Sequence, residues 1–345
     1  MTLPRITTWV ACIGTLFCFL ASVSVVSAET VPLRAMSFNV RYAGTTEDVI
    51  GTNGWYNLTT PSAGRVYKAI QVIRDNAPDI IGTQEALDVQ IKDLSGQTLA
   101  AGLTDYGYYG VGRTNGVAAG EYAAIFYKAD RFTQLNAGTF WLSPTPDVPG
   151  SIYPGAGSIR IASWVLLDDH LSHQQLFVLN THMDNVSDTA NNYAANLIRQ
   201  RLPGLAGDAP ILLTGDMNST ASSTVVQTLM GLNDPSGLQL GDAYREVHPV
   251  VQSNEATYHA YTGSTGGSRI DFTLHSAELT PVGAEIVRTS YNGKYPSDHF
   301  PVTAQFTMAV VPEPATGVLL APGAVVLWFY GRSARRSARR CVKSQ

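Results

Sequence analysis

Residues 211–219 read Ile-Leu-Leu-Thr-Gly-Asp-Met-Asn-Ser, and this stretch constrains the chain more than any other. A short apolar run after Pro210 is long enough for a buried strand and short for a helix. Alternate side chains of a strand share a face, so Asp216 and Asn218 are expected on one side of it. Gly, Asp and Asn are also ordinary turn residues. A strand that simply ends in a turn is therefore the competing reading, and the rest of the chain decides between the two.

Strand and helix periodicities alternate along that chain. Residues 33–41 read as a strand, followed by a loop rich in Gly, Thr and Asn as far as Thr60. Over 62–76 apolar Val66, Ala69, Ile70 and Ile73 recur at helical spacing, and Pro78-Asp79 ends that helix. Residues 80–85 read as the next strand, 87–101 as a second helix and 106–111 as an aromatic strand. Further strands are expected over 122–127, 159–167, 175–180, 269–274 and 302–308, with helices over 190–201 and 222–230. Mixed elements without a repeat or a composition break between 33 and 309 predict one α/β or α+β sandwich domain.

The two ends stand apart from that domain. Arg5, an apolar run over 9–26 and Ser27-Ala28 form the pattern of a secretory signal with a small-residue cleavage site; the run is near spanning length, so an uncleaved anchor is the alternative. At the other end Val311-Pro312-Glu313-Pro314 precedes a mostly apolar stretch, 315–330, and then Arg332, Arg335, Arg336, Arg339 and Arg340. This order resembles the PEP-CTERM sorting signal of Gram-negative bacteria. The resemblance implies recognition and cutting by an exosortase, with a plain C-terminal anchor as the alternative. The expected organisation is a signal peptide over 1–28, one domain over 29–309 and a sorting tail over 311–345. Such a chain is exported to the periplasm, cell surface or extracellular matrix, held transiently in the membrane by its tail.

All three cysteines, Cys12, Cys18 and Cys341, lie in these ends, so the domain has neither disulfides nor thiolate metal ligands. Without the ends the chain loses seven of its 23 basic residues and one of its 27 acidic ones, which leaves a net charge of −10 rather than −4. A broad basic stripe for gripping a nucleic-acid backbone is not evident.

Polar residues recur just past the apolar strand-like runs: Asn39, Glu85, His182, and Asp216 with Asn218, to which Asp271 and the pair Asp298-His299 are added. Each alone has a structural explanation as a turn cap or packing residue. Together they suggest one cleft. The segments Ser37-Phe38-Asn39-Val40-Arg41, Asp79-Ile80-Ile81-Gly82-Thr83-Gln84-Glu85, Gly120-Glu121-Tyr122, Asn180-Thr181-His182-Met183-Asp184, Thr214-Gly215-Asp216-Met217-Asn218, Arg269-Ile270-Asp271-Phe272 and Ser297-Asp298-His299-Phe300-Pro301 resemble, in order, the motifs of the endonuclease/exonuclease/phosphatase superfamily.

The resemblance implies a four-layer sandwich, two mixed sheets face to face with helices outside, and a metal site at one end. It places Asn39, Glu85 and Asp298 at the metal, and Asp216 with Asn218 at the nucleophile and the transition-state oxygen. His182 and His299 match the phosphate-facing histidines, oriented by Glu121 and Asp271. Oxygen ligands without cysteine suit Mg²⁺ or Mn²⁺, with Ca²⁺ also compatible. An imidazole backed by a carboxylate is held in one tautomer and made more basic. Asp216 is the first choice for activating water and His299 the second. Arg113 and Arg160 are read as surface arginines, with contact to a substrate phosphate as the other reading.

The expected function is exported, metal-dependent hydrolysis of a phosphodiester by a monomer. The alternatives are a phosphatase or sphingomyelinase-like activity on a small or lipid phosphate, or a non-catalytic binding module. Such a module would show gaps among these positions, and every one is filled.

Overall fold

The computed structural model describes residues 29–234 and 237–312. The expected signal segment, and the sorting tail from residue 313 on, lie outside them. The first half of the chain supplies β1 (Thr30–Asn39), α1 (Thr46–Ile50), α2 (Arg65–Asn76), β2 (Ile80–Gln84), α3 (Asp88–Leu94), β3 (Tyr106–Tyr109) and β4 (Ala123–Lys128). Then come β5 (Phe132–Trp141), β6 (Ile161–Asp169), β7 (Gln174–His182), α4 (Asp188–Ala206), β8 (Ile211–Asp216), α5 (Thr224–Met230), β9 (Gly241–Asp242), α6 (Ala243–Val247) and β10 (Asp271–His275). The last two strands, β11 (Leu279–Ile286) and β12 (Val302–Ala309), return to the first half.

Two six-stranded sheets result, ordered β11-β12-β1-β2-β4-β3 and β5-β6-β7-β8-β10-β9. Leu33, Ile125, Val165, Val178, Leu212 and Phe306 are buried between them. Residues of α2 and α3 pack with Phe38 and Phe126 on the outside of the first sheet, and residues of α4 and α5 with Phe177 and Leu213 on the outside of the second. The expected four-layer sandwich is what forms.

Alternation along the central strands places the polar residues. The inward-facing positions run from apolar to polar in one direction: Leu33, Ala35, Ser37, Asn39 on β1; Leu176, Val178, Asn180, His182 on β7; Leu212, Thr214, Asp216 on β8. β1 and β2 are parallel, as are β7 and β8, whereas β10 is antiparallel to β8 with Asp271 opposite Asp216. All the polar ends therefore gather at one pole. Just below it the sheets are joined by hydrogen bonds rather than apolar contact: the Asn180 amide donates to the Thr83 and Ala124 carbonyls, and its oxygen accepts from Gln84 and Thr214. Gly82 makes room for this layer. A Cβ there would lie 2.0 Å from Thr214 Oγ1 and 2.6 Å from Asn180 Oδ1.

Several boundaries differ from expectation. The second helix stops at Leu94 because Gly96 turns the chain with φ +81°. α4 runs on to Ala206 and carries Pro203 inside it. Strands β5 and β11 were not expected; both are sheet-edge strands with mostly exposed or half-buried positions, so no apolar alternation marks them. The loop after β1 holds α1, a single 3₁₀ turn at Pro61–Ala63 and the fully buried Trp55.

Candidate active site

At the polar pole a cleft of about 600 Å³ opens, lined among others by Glu85, His182, Asp216, Asn218, Asp298 and His299. Asp216, 1% exposed, sits at its centre. Its Oδ1 accepts the Asn218 backbone N–H at 2.9 Å and its Oδ2 accepts the Asn39 amide at 2.9 Å. The same Oδ2 lies 3.6 Å from His182 Nε2 and 3.7 Å from His299 Nε2. Two imidazoles thus approach one carboxylate oxygen. His299 is held from behind by Asp271, Nδ1 to Oδ2 at 2.9 Å.

These contacts set the charges. Burial opposes a charge on His299, but Asp271 and Asp216 outweigh it and raise the ring to about 10. Burial, with Asp271 adding to it, pushes Asp216 up to about 7 against the pull of His299. His182 goes the other way: burial first, then Arg160 and Arg113, hold it well below the usual histidine value, so it is neutral. Asn218 Nδ2 donates to the Met183 carbonyl at 3.0 Å and meets His182 Nε2 at 3.0 Å. That leaves the His182 proton on Nδ1.

The expected metal residues lie along the other wall. Asn39 Nδ2 donates to Glu85 Oε1 and to Asp216, while its oxygen accepts the Arg41 N–H. In this geometry Asn39 positions the two carboxylates and offers them no oxygen. Glu85 has φ +67° and Arg41 φ +57°, left-handed conformations that cost side-chain-bearing residues energy and concentrate at functional sites. Arg41, noted in sequence only as the last residue of its motif, stands 3.7 Å from Glu85 and 3.9 Å from Asp298. Burial, with Glu85 adding to it, raises the Asp298 carboxyl. Glu85, His182 and Asp216 present ligand atoms within 4.8 Å of one another. Carboxylates crowded this way, with only oxygen and imidazole donors, fit a divalent cation that relieves their repulsion.

Two expectations need correction. Glu121 does not orient His182: it pairs bidentately with Arg113, at 2.7 and 2.8 Å, and stays 3.9 Å from His182 Nδ1. A planar guanidinium fork outcompetes a single ring N–H for a carboxylate. Arg113 and Arg160 are not surface residues. Both line the cleft, and Arg160 is only 8% exposed. Tyr258 also lines it, its ring edge-on to His299 at 5.1 Å, and no periodicity singled it out.

Residues 36–299 match the model of the Endonuclease/Exonuclease/phosphatase family. The chain belongs to this family. A family structure from Bacteroides vulgatus superposes with TM-score 0.70 at 30% identity, covering 81% of this chain and 99% of that one. The mannosyl-6-phosphatase of Bacteroides thetaiotaomicron gives TM-score 0.67 at 29% identity, over 79% and 99% of the two chains. Nocturnin of Drosophila melanogaster is 25% identical over 283 residues, 71% of this chain and 42% of nocturnin, so the chain spans less than half of that relative. Family membership makes the cleft that of a phosphoesterase fold.

Proposed function

We propose that the protein is a divalent-metal-dependent hydrolase of phosphoesters on small soluble molecules, with water as the nucleophile. The observation that carries this is Asp216 Oδ2 with an imidazole nitrogen 3.6 and 3.7 Å away on either side. Asp216, raised towards neutrality by burial, takes the proton of the attacking water. His299, fixed by Asp271, carries its own proton and offers Nε2–H to the phosphoryl group. Asn218, its amide N–H groups given to the Met183 carbonyl and to His182 Nε2, fixes the His182 ring beside the phosphoryl group.

Glu85 and Asp298 would hold the ion, Mg²⁺ or Mn²⁺ by donor chemistry, which neutralises phosphoryl charge and stabilises the leaving oxygen. The small-molecule reading draws on the acidic domain, the size of the cleft and the likeness to a sugar phosphatase. Residues 1–28 and 311–345 add export as part of the same reading.

The test is an assay of purified protein with Mg²⁺ or Mn²⁺ against hexose phosphates, inositol phosphates, sphingomyelin, RNA and plasmid DNA, beside Asp216→Ala and His299→Ala. Turnover of a small phosphate that both substitutions abolish is expected. No turnover of anything, or turnover surviving both changes, rejects the proposal.

A further inference from the structure

We propose that Arg160 and the Nδ1 edge of His182, beside the Arg113–Glu121 pair, form a terminal-oxygen site that selects phosphomonoesters over phosphodiesters. The proposal rests on the hydrolytic reading above and names its substrate class. Arg160 stands just ahead of β6 and turns into the cleft wall. Its Nη2 donates to Asn185 Oδ1 at 3.1 Å, but Nε and Nη1 have no hydrogen-bond partner among the described residues. The carboxylate beside it cannot serve. Asp184 Oδ2 is 3.7 Å from Nε, and the two Asp184 oxygens already accept the backbone N–H groups of Gly157, Ser158, Val186 and Ser187. His182 Nδ1 is likewise buried without a partner, because Glu121 is held by Arg113.

The residues that carry these N–H groups, Arg160 and His182, line one recess. It is about 10 Å³, shares Arg113, Glu121, Arg160 and His182 with the main cleft, and is backed by Ala123 and Ile161. That is room for a single water-sized atom. Buried donors without acceptors are costly, and a charged guanidinium more so than most. The matching occupant is one negatively charged oxygen that accepts several N–H groups at once. An unsubstituted phosphoryl oxygen meets that description, whereas an ester oxygen carries a carbon the recess cannot admit. A monoester has three unsubstituted oxygens and a diester two. With one facing His299 Nε2–H and one on the side of Glu85 and Asp298, only the monoester has a third for the recess. It also brings one more negative charge to an Arg160 guanidinium whose carboxylate neighbour, Asp184, stands 3.7 Å away. The sequence alone pointed to a phosphodiester; the recess points to a monoester.

The test compares 4-nitrophenyl phosphate with bis(4-nitrophenyl) phosphate on the full chain with Mn²⁺. The wild-type protein should favour the monoester in kcat/KM, and Arg160→Met should reduce the monoester-to-diester ratio about 10- to 100-fold, the range for one charge-assisted hydrogen bond. Ala123→Val, which fills the recess and keeps Arg160, should shift the ratio the same way and carries the test if Arg160→Met does not fold. Independently of turnover, inorganic phosphate in EDTA should raise the melting midpoint of the wild type but not of Arg160→Met, and dimethyl phosphate should raise neither. An unchanged ratio in the folded variants, or equal stabilisation by phosphate and dimethyl phosphate, overturns the proposal and marks the recess as the seat of a structural water only. A phosphate shift lost in Arg160→Met, in a wild type that turns over no ester, sustains the oxygen site and rejects the hydrolytic reading.

Discussion

His299 Nδ1 lies 2.9 Å from Asp271 Oδ2, while Asp271 Oδ1 has no hydrogen-bond partner among the described residues. The carboxylate therefore spends its polar contact on one ring, fixing its tautomer and aiming Nε2 at Asp216. Asp271→Asn keeps the shape and removes the charge. A loss of about 100- to 10,000-fold in kcat with little change in KM is expected, by analogy with other His–Asp pairs. Steady-state kinetics on a variant with an unaltered melting curve checks it; a change confined to KM would contradict the assignment.

The same pair shapes the pH profile. Asp216 must be ionised to take a proton, and burial raises it to about 7, so activity rises as pH passes that value. His299 must keep its proton, and Asp271 and Asp216 hold it, against burial, up to about 10, so activity falls as pH approaches 10. Asp271 raises both groups. Asp271→Asn should therefore move both limbs of the kcat/KM profile to lower pH, and limbs that stay in place would show that other groups set them.

Glu85 and Asp298 share the far wall with Arg41 more than 3.5 Å from either carboxylate. Mg²⁺ or Mn²⁺ should raise the melting midpoint through binding to the folded state alone, and EDTA should abolish turnover. Glu85→Gln should lose most of the metal-dependent stabilisation. Calorimetric titration of metal into both proteins separates the outcomes: equal affinity would remove Glu85 from the metal site.

Much of this site was legible in sequence because strand alternation is a strict rule: once residues 211–216 are a buried strand, Leu212, Thr214 and Asp216 must share a face. The joint between the sheets was harder to foresee. Gln84, Asn180 and Thr214 look like ordinary strand polars, and only the approach allowed by Gly82 makes them one layer. Arg113 and Arg160 were misjudged because arginine is exposed by default, and burial here follows from loops that carry no periodic signal. Glu121 was assigned to His182 by the family resemblance, whereas pairing depends on which cation lies nearer. Edge strands β5 and β11 escaped notice for a similar reason: half-exposed strands lack the apolar repeat that reveals a central one.

A last prediction concerns the pole opposite the cleft, where Arg131 grips Asp169 with two hydrogen bonds of 2.8 Å and donates to the Pro32 carbonyl at 2.7 Å. Asp169 is fully buried and also accepts the Leu171 N–H and the Ser172 hydroxyl. Burial works against its charge, but these partners, Arg131 foremost, hold it below its ordinary value of 3.8. A carboxyl depressed in the folded state contributes stability above its unfolded value and loses it as pH falls through the folded one. Asp169→Asn leaves the buried Arg131 guanidinium with Asp79, 3.1 Å away, as its remaining carboxylate partner and should cost about 1.5–3 kcal/mol at pH 7, the range for hydrogen bonds to a charged group. The gap between the two proteins should hold from neutrality down to about pH 4 and then narrow, since acid removes in the wild type the charge that the variant lacks. Urea unfolding from pH 7 to pH 2.5 measures both curves, and parallel curves across that range would show that Asp169 contributes by packing and not by charge.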